Sequence, residues 1–305
     1  MFALVTGASS GMGLHYATQL ARDYHYDLLL VSNQAQELHD VAVRLAADYR
    51  ITAIDYCADL AEQNAAEQLF DFAKQRQIEV EVLINNAGIL IFRELAQTPM
   101  PKLQTLLMLH MVTLTKLCKL FGEEMCRRHR GYILNMSSMT AWMTMPGIQC
   151  YNASKAYVLN FSKALWYEYK RYGVHVLAVT PGTINTPLFD LPDKMRRLLL
   201  ATGIAMQPET LVRRALRKLF RSWKKRSMPG AWNYIIVPII SHLPDWVVFA
   251  AMKRLPQFSH GGKTHKKKEP FGFHNPKGSL SIFNFWTIIV FYRTIFCILS
   301  LHFTM

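Results

Sequence analysis

The chain predicts an α/β fold, a doubly wound parallel sheet forming a single domain over residues 1–230, followed by a basic, partly apolar C-terminal extension over residues 231–305. Two observations carry this expectation. Short runs rich in Leu, Ile and Val alternate with segments of helical period, the pattern of parallel strands covered on both faces by helices. The first run also passes through a glycine-rich turn into an amphipathic stretch, an order in which backbone amides at a helix N-terminus can receive a phosphate.

Residues 2–6 are the first strand, the turn Thr6-Gly7-Ala8-Ser9-Ser10-Gly11-Met12-Gly13 follows, and residues 14–24 continue as helix. The spacing Gly-x-x-x-Gly-x-Gly departs from the common dinucleotide fingerprint Gly-x-Gly-x-x-Gly. Apolar runs at 27–31, 51–56, 80–84, 132–136 and 174–179 supply the remaining strands. Ligands of such sheets bind at the carboxyl ends of the strands, and the polar motifs of this chain stand at or just after those ends.

The chemistry centres on Tyr151 and Lys155, with Ser138 thirteen residues upstream of the tyrosine. Positions i and i+4 share a helix face, so the ammonium can lie near the phenol and favour its anion. That lowers a pKa ordinarily near ~10 toward working pH, which makes the tyrosine a usable acid or base.

These residues resemble the short-chain dehydrogenase/reductases, through six motifs in one order. The turn from Thr6 to Gly13 is similar to that family's cofactor loop. Asp59-Leu60 resembles its adenine-contacting pair, Asn85-Asn86-Ala87-Gly88 its fourth-strand motif and Asn135-Met136-Ser137-Ser138 its serine strand. Tyr151-Asn152-Ala153-Ser154-Lys155 and Pro181-Gly182-Thr183-Ile184-Asn185-Thr186 complete the set. The resemblance covers roughly residues 2–230 and implies a Rossmann-like fold. It also implies a nicotinamide cofactor contacted by Gly7, Ser9, Ser10, Gly11, Met12, Gly13, Ser32, Asn33, Asp59, Leu60, Asn86, Ala87, Gly88, Tyr151, Lys155, Pro181, Gly182, Ile184 and Thr186. In the implied mechanism Tyr151 exchanges a proton with the substrate oxygen, Ser138 hydrogen-bonds that oxygen, and Lys155 lowers the tyrosine pKa and holds the nicotinamide ribose.

One position departs from the family pattern. Where an asparagine usually helps to hold a relay water, counting along the chain puts His110. Two readings stand: a relay member, for which an imidazole pKa near ~6.5 is suitable, or a histidine that satisfies backbone groups.

Cofactor choice rests on Ser32 and Asn33 at the end of the second strand. The absence there of a ribose-binding acid favours NADP(H), with NAD(H) as the alternative. Trp142, Met143 and Met145, with Leu188, Phe189 and Leu191, would line the substrate cleft by resemblance. Such a lining suits a ketone or a lipid-like chain, and from Gly131 onward the chain is similar to the branch that includes hydroxysteroid dehydrogenases and 3-oxoacyl reductases. The expected function is an NADP(H)-dependent carbonyl reductase or alcohol dehydrogenase. A cofactor-binding scaffold or redox-sensing module with weakened catalysis is the second reading, and a membrane-surface protein the third.

The formal charge of +14 is unevenly placed. Residues 1–193 carry −2, whereas residues 194–268 carry 17 Lys/Arg against Glu209 and Asp245. In residues 209–226, Val212, Leu216, Leu219, Phe220 and Trp223 form an apolar stripe opposite Arg213, Arg214, Arg217, Lys218, Arg221 and Lys224. A helix packed on the sheet is the favoured reading, with its basic face available to acidic partners or an anionic membrane. No nucleic-acid recognition motif accompanies the charge.

Residues 231–258, interrupted by Pro238 and Pro244, are expected to form short helices beside the cleft, and residues 259–279 a basic linker. Residues 280–301 have the length of a membrane span, but Arg293 and Asn284 bring insertion close to neutral. No leader pattern precedes the first strand, which favours a cytoplasmic enzyme portion with membrane association through the C-terminal region. The five cysteines are scattered without Cys-x-x-Cys, and neither a disulfide framework nor a metal site is indicated. By resemblance, the helices over 103–127 and 151–169 would pair in a homodimer or homotetramer.

Overall fold

The structure, a computed structural model, describes residues 1–182, 184, 205–230 and 233–252, and of residues 235, 236, 251 and 252 the backbone alone. Seven strands form one sheet in the order β3-β2-β1-β4-β5-β6-β7, with every neighbouring pair parallel. They are β1 (Phe2–Thr6), β2 (Asp27–Ser32), β3 (Ala53–Cys57), β4 (Val80–Asn85), β5 (Gly131–Met136), β6 (Val174–Val179) and β7 (Arg226–Ser227). The doubly wound sheet expected from the alternating runs is present. The order reverses between β1 and β4, where such sheets open a crevice at their carboxyl edge.

The helices are α1 (Gly11–Tyr24), α2 (Ala35–Tyr49), α3 (Ala65–Gln75), α4 (Met100–Leu107), α5 (Leu114–Arg127), α6 (Gln149–Lys170), α7 (Pro208–Arg221), α8 (Asn233–Ser241) and α9 (Asp245–Met252). Leu4, Leu29, Leu83 and Ile133 point to one side of the sheet and pack with Leu69, Leu117, Phe121 and Val158 of α3, α5 and α6. Their alternate neighbours Val5, Leu28, Leu30, Ile84 and Leu134 point to the other and pack with Leu20, Leu38, Leu45, Leu216 and Leu219 of α1, α2 and α7. Burial on both faces explains why the strands read as continuous apolar runs. Each fully buried leucine contributes about 1.5–3 kcal/mol.

The basic amphipathic segment is α7. Pro208 starts it, Glu209 lies in its first turn and Lys218 and Arg221 in its last, charges that complement the helix dipole. Leu211, Val212, Ala215, Leu216 and Leu219 are buried, and Phe220 packs among Tyr24, Tyr26 and Tyr132. The helix ends at Arg221, five residues earlier than the charge pattern suggests. Trp223 therefore leaves the stripe and is half exposed, while Arg226 enters the edge strand. Pro244 precedes α9 as expected, but Pro238 stands inside α8, which continues with one ladder bond fewer.

Helix α4 joins α5 through a π-helical segment, Met108–Thr113. The continuous helix Met100–Arg127 is, among the described residues, the one long and apolar enough to cross a membrane. Its Leu103, Leu106, Leu114, Leu117, Phe121 and Met125 are core residues, so the protein's own packing accounts for that apolarity. Residues 253–305, including the linker and the 280–301 segment, lie outside the described residues.

Candidate active site

The glycine turn occupies the carboxyl end of β1. Gly7 and Gly11 adopt positive φ, 67° and 53°, which only glycine takes at little cost. At Gly13 a β-carbon would stand 1.9 Å from the Gly7 carbonyl oxygen, whereas at Gly11 nothing lies within 4 Å. The turn is closed on its inner side and open on its outer side. Ser10 makes no side-chain capping bond, and the first turn of α1 carries no acid. The helix N-terminus therefore presents an uncompensated positive end, which fits a phosphate-bearing cofactor.

Thr6 fastens this turn to the neighbouring motif. Its Oγ1 donates to the Ile84 carbonyl and accepts the amides of Asn86 and Ala87, both at 3.0 Å, while Asn86 Nδ2 donates to the Thr6 carbonyl at 3.1 Å. At the end of β2, Ser9 Oγ lies 2.9 Å from Ser32 Oγ and donates to Gln34 Oε1 at 2.7 Å. Asn33 is exposed, and no carboxylate follows the strand. Asp59 accepts the Ala61 amide in a tight turn, and Leu60 beside it is buried.

Ser138 follows β5 in extended backbone and accepts the Thr140 amide at 3.2 Å. Tyr151 and Lys155 lie in the first turns of α6, and the Tyr151 hydroxyl faces the Ser138 side chain. Lys155 is buried; its Nζ donates to the Met136 carbonyl at 2.8 Å and stands 5.5 Å from the Tyr151 ring centroid. Ser137 Oγ donates to the Lys155 carbonyl at 2.7 Å, which clamps α6 to β5. The motifs on β5 and α6 thus form one cluster.

The protonation pattern differs from the sequence expectation. Burial raises the Tyr151 pKa, and the nearby Ser138 hydroxyl only partly opposes it. The Lys155 ammonium is hydrogen-bonded to the Met136 carbonyl. Burial also lowers the Lys155 pKa to about 8. At neutral pH the site holds a protonated phenol beside a mostly charged lysine.

His110 is 1% exposed, within the π-helical segment. Its Nε2 accepts the Ile89 amide at 3.0 Å, and its Nδ1 lies 2.9 Å from Ser154 Oγ, which donates to the Tyr151 carbonyl at 2.8 Å. Its ring meets that of Tyr151 edge-on, with centroids 5.7 Å apart.

Pro181 is drawn to the serine by a bond from the Met139 amide to its carbonyl, 2.9 Å. Gly182 lies against the buried Asn233, where a β-carbon would be 2.2 Å from Asn233 Oδ1. Ile184 bridges to Met206, while Thr186, with Leu188, Phe189 and Leu191, lies outside the described residues. Met139, Met143, Met228 and Val237 form a small apolar cluster with Trp142, Met145 and Ile240 beside Ser138. Sequence reasoning named Trp142, Met143 and Met145, quoted Thr6, Ser137 and Ser154 only as motif members without a role, and missed Met228 and Asn233. Ser154 had a local signal, lying between Tyr151 and Lys155, but Met228 and Asn233 reach the site through the β7 edge.

Comparison with known proteins decides the family. The short chain dehydrogenase model matches residues 1–196. The chain belongs to that family. Among curated short-chain dehydrogenases it is 32% identical over 226 residues to a very-long-chain 3-oxoacyl-CoA reductase of Coccidioides immitis, covering 72% of this chain and 62% of the relative. It is 31% identical over 192 residues to 17-beta-hydroxysteroid dehydrogenase type 3 of Mus musculus, covering 61% of each. These matches span about three fifths of the relatives' length. A crystal structure of the bulky-bulky ketone specific alcohol dehydrogenase from Comamonas testosteroni superimposes with a TM-score of 0.65 at 26% identity, covering 88% of this chain and 97% of that one.

Proposed function

We propose that this short-chain dehydrogenase is an oxidoreductase that moves a hydride between NADP(H) and the carbonyl or secondary alcohol of an apolar, lipid-like substrate. The observation that carries the reading is the contact of Tyr151 with Ser138, and with Lys155 beneath it, at the carboxyl edge where the open glycine turn also lies. The bound nicotinamide supplies or accepts the hydride. Gly11 leaves room for its pyrophosphate at α1 while Gly7 and Gly13 let the turn close tightly behind it, and Asn86, Ala87, Gly88, Pro181 and Gly182 border its path. Without a carboxylate after β2 nothing repels a 2′-phosphate, which favours NADP(H) over NAD(H).

Ser138 Oγ holds the substrate oxygen, and its hydrogen bond strengthens as negative charge develops there. Tyr151, protonated at neutral pH, donates its proton to that oxygen. Lys155, charged below about pH 8, then stabilises the phenolate left behind. The methionine-rich wall excludes water and suits an acyl chain or steroid, the substrate types in the names of the two curated relatives. A cofactor-binding scaffold or redox-sensing module with weakened catalysis is not favoured; the proximity of Ser138, Tyr151 and Lys155 supports turnover.

A membrane surface is a further partner in this reading, supported by the exposed Tyr234, Trp246 and Phe249 on α8 and α9. Fractionation of the full chain beside one ending near Gly262 tests the part played by the tail. The homo-oligomer is supported by exposed Leu107 and Val112 on the long helix, and light scattering reads its size.

The deciding test of the reaction is oxidation of NADPH against 3-oxoacyl thioesters and ketosteroids. Tyr151→Phe is expected to abolish turnover while NADPH still titrates the protein. Undiminished activity in that variant would end the proposal.

A further inference from the structure

His110 has more constraint around it than an asparagine substitute requires. A backbone amide can only donate, so the bond from Ile89 to Nε2 requires a bare nitrogen there. The ring hydrogen then sits on Nδ1 and is given to Ser154 Oγ, whose own hydrogen goes to the Tyr151 carbonyl. Every donor in this chain has one acceptor, and the ring keeps no lone pair or hydrogen for a mobile water. A second proton would turn Nε2 against the Ile89 amide. Gly88 matters for the same contact, because a β-carbon there would stand 2.8 Å from Nε2.

We propose that His110 is a positioning residue, held as the neutral Nδ1–H tautomer, that ties the first turn of α6 to the loop after β4 and takes no part in proton relay. The inference rests on the reading of Tyr151 as proton donor and of the Asn86–Ile89 loop as bordering the cofactor. Three separate pieces meet at one ring: the long helix, the turn carrying Tyr151 and the loop beginning at Asn86. The titratable groups facing it are Lys155 and Tyr151, both on α6. Burial first, and the charge of Lys155 second, push its pKa down to about 2. The geometry and the electrostatics therefore agree on a neutral ring.

The two bonds can be separated. Asparagine places its amide near the Nδ1 position and keeps the donor to Ser154, whereas glutamine reaches the Nε2 position and keeps an acceptor for Ile89. His110→Asn is expected to raise the NADPH KM more than it lowers kcat. His110→Gln is expected to lower kcat more than it raises that KM, by about tenfold to a hundredfold, the scale of a misplaced catalytic group. Nitrogen-15 spectra of the wild-type full chain, without cofactor, should show a bare Nε2 and a protonated Nδ1 that do not change between pH 5.5 and 8.5.

Titration of the ring near its ordinary value, an Nε2–H tautomer, or a wild-type pH–rate limb near 6.5 that both variants lose would overturn the proposal. So would equal losses of kcat and KM in both variants. If neither variant folds, the spectra decide. If no carbonyl compound is turned over, the proposed reaction fails while the spectra still test the ring.

Discussion

Replacing Lys155 with methionine should separate what the lysine does for the reaction from what it costs the fold. Burial holds its pKa at about 8 against an ordinary 10.5, so at neutral pH the buried charge costs ~3 kcal/mol at 1.36 kcal/mol per pKa unit. Lys155→Met removes that cost but also the charged hydrogen bond to the Met136 carbonyl, worth ~1.5–3 kcal/mol. The variant is expected to be within ~1 kcal/mol of wild type at pH 7 and inactive. The pH dependence is the sharper measurement. Between the folded value and 10.5 the unfolded chain binds more protons, so wild-type stability rises with pH across that window. Relative to Lys155→Met, the wild type should gain about 2 kcal/mol between pH 7 and 9.5. Urea unfolding of both proteins at both pH values reads this difference directly. Parallel behaviour of the two proteins would refute a Lys155 pKa lowered by burial.

Gly13→Ala forces a methyl to 1.9 Å from the Gly7 carbonyl; it should weaken cofactor binding in a fluorescence titration and lower the urea midpoint, at a cost of ~1–3 kcal/mol or more. Asn33→Asp supplies the carboxylate missing after β2 and is expected to shift the NADPH-to-NADH preference by about tenfold or more toward NADH, equivalent to ~1.4 kcal/mol; an unchanged ratio in paired kcat/KM measurements would count against the cofactor assignment. Leu216→Ala empties a fully buried position on α7 and should destabilise the fold by ~2–5 kcal/mol, with little loss if the apolar face of that helix served a membrane instead.

What the sequence made legible is largely what is local along the chain. The turn at Gly7, the Asn85–Gly88 motif, Ser138 and the Tyr151–Lys155 pair each sit where a strand ends or a helix starts, so a short string announces its place. The parallel sheet follows from the alternation of buried runs and helices, whereas its strand order does not. Features depending on approach in space were not legible. The contact of Met228 with Met139, and the seat of Asn233 over Gly182, arise because β7 pairs with β6 at the sheet edge. The direction of the Tyr151 shift was not legible because spacing brings Lys155 near the phenol but says nothing of the burial that raises the tyrosine pKa. The partners of His110 were hidden for the same reason, since Ile89 and Ser154 lie on two different elements.

The pairing of β1 with β4 also bears on how the chain is made. Phe2 and Val5 pair with Val80 and Ile84, so this central strand has one edge without its partner until about 80 further residues have been synthesised. At ribosomal rates of ~5–20 residues per second that interval lasts roughly 4–16 s. Throughout it an apolar strand presents unpaired amides and carbonyls to any other extended chain. A nascent molecule thus carries an unpaired apolar edge early, and the same β4 segment that shields it delivers Asn85-Asn86-Ala87-Gly88 to the glycine turn.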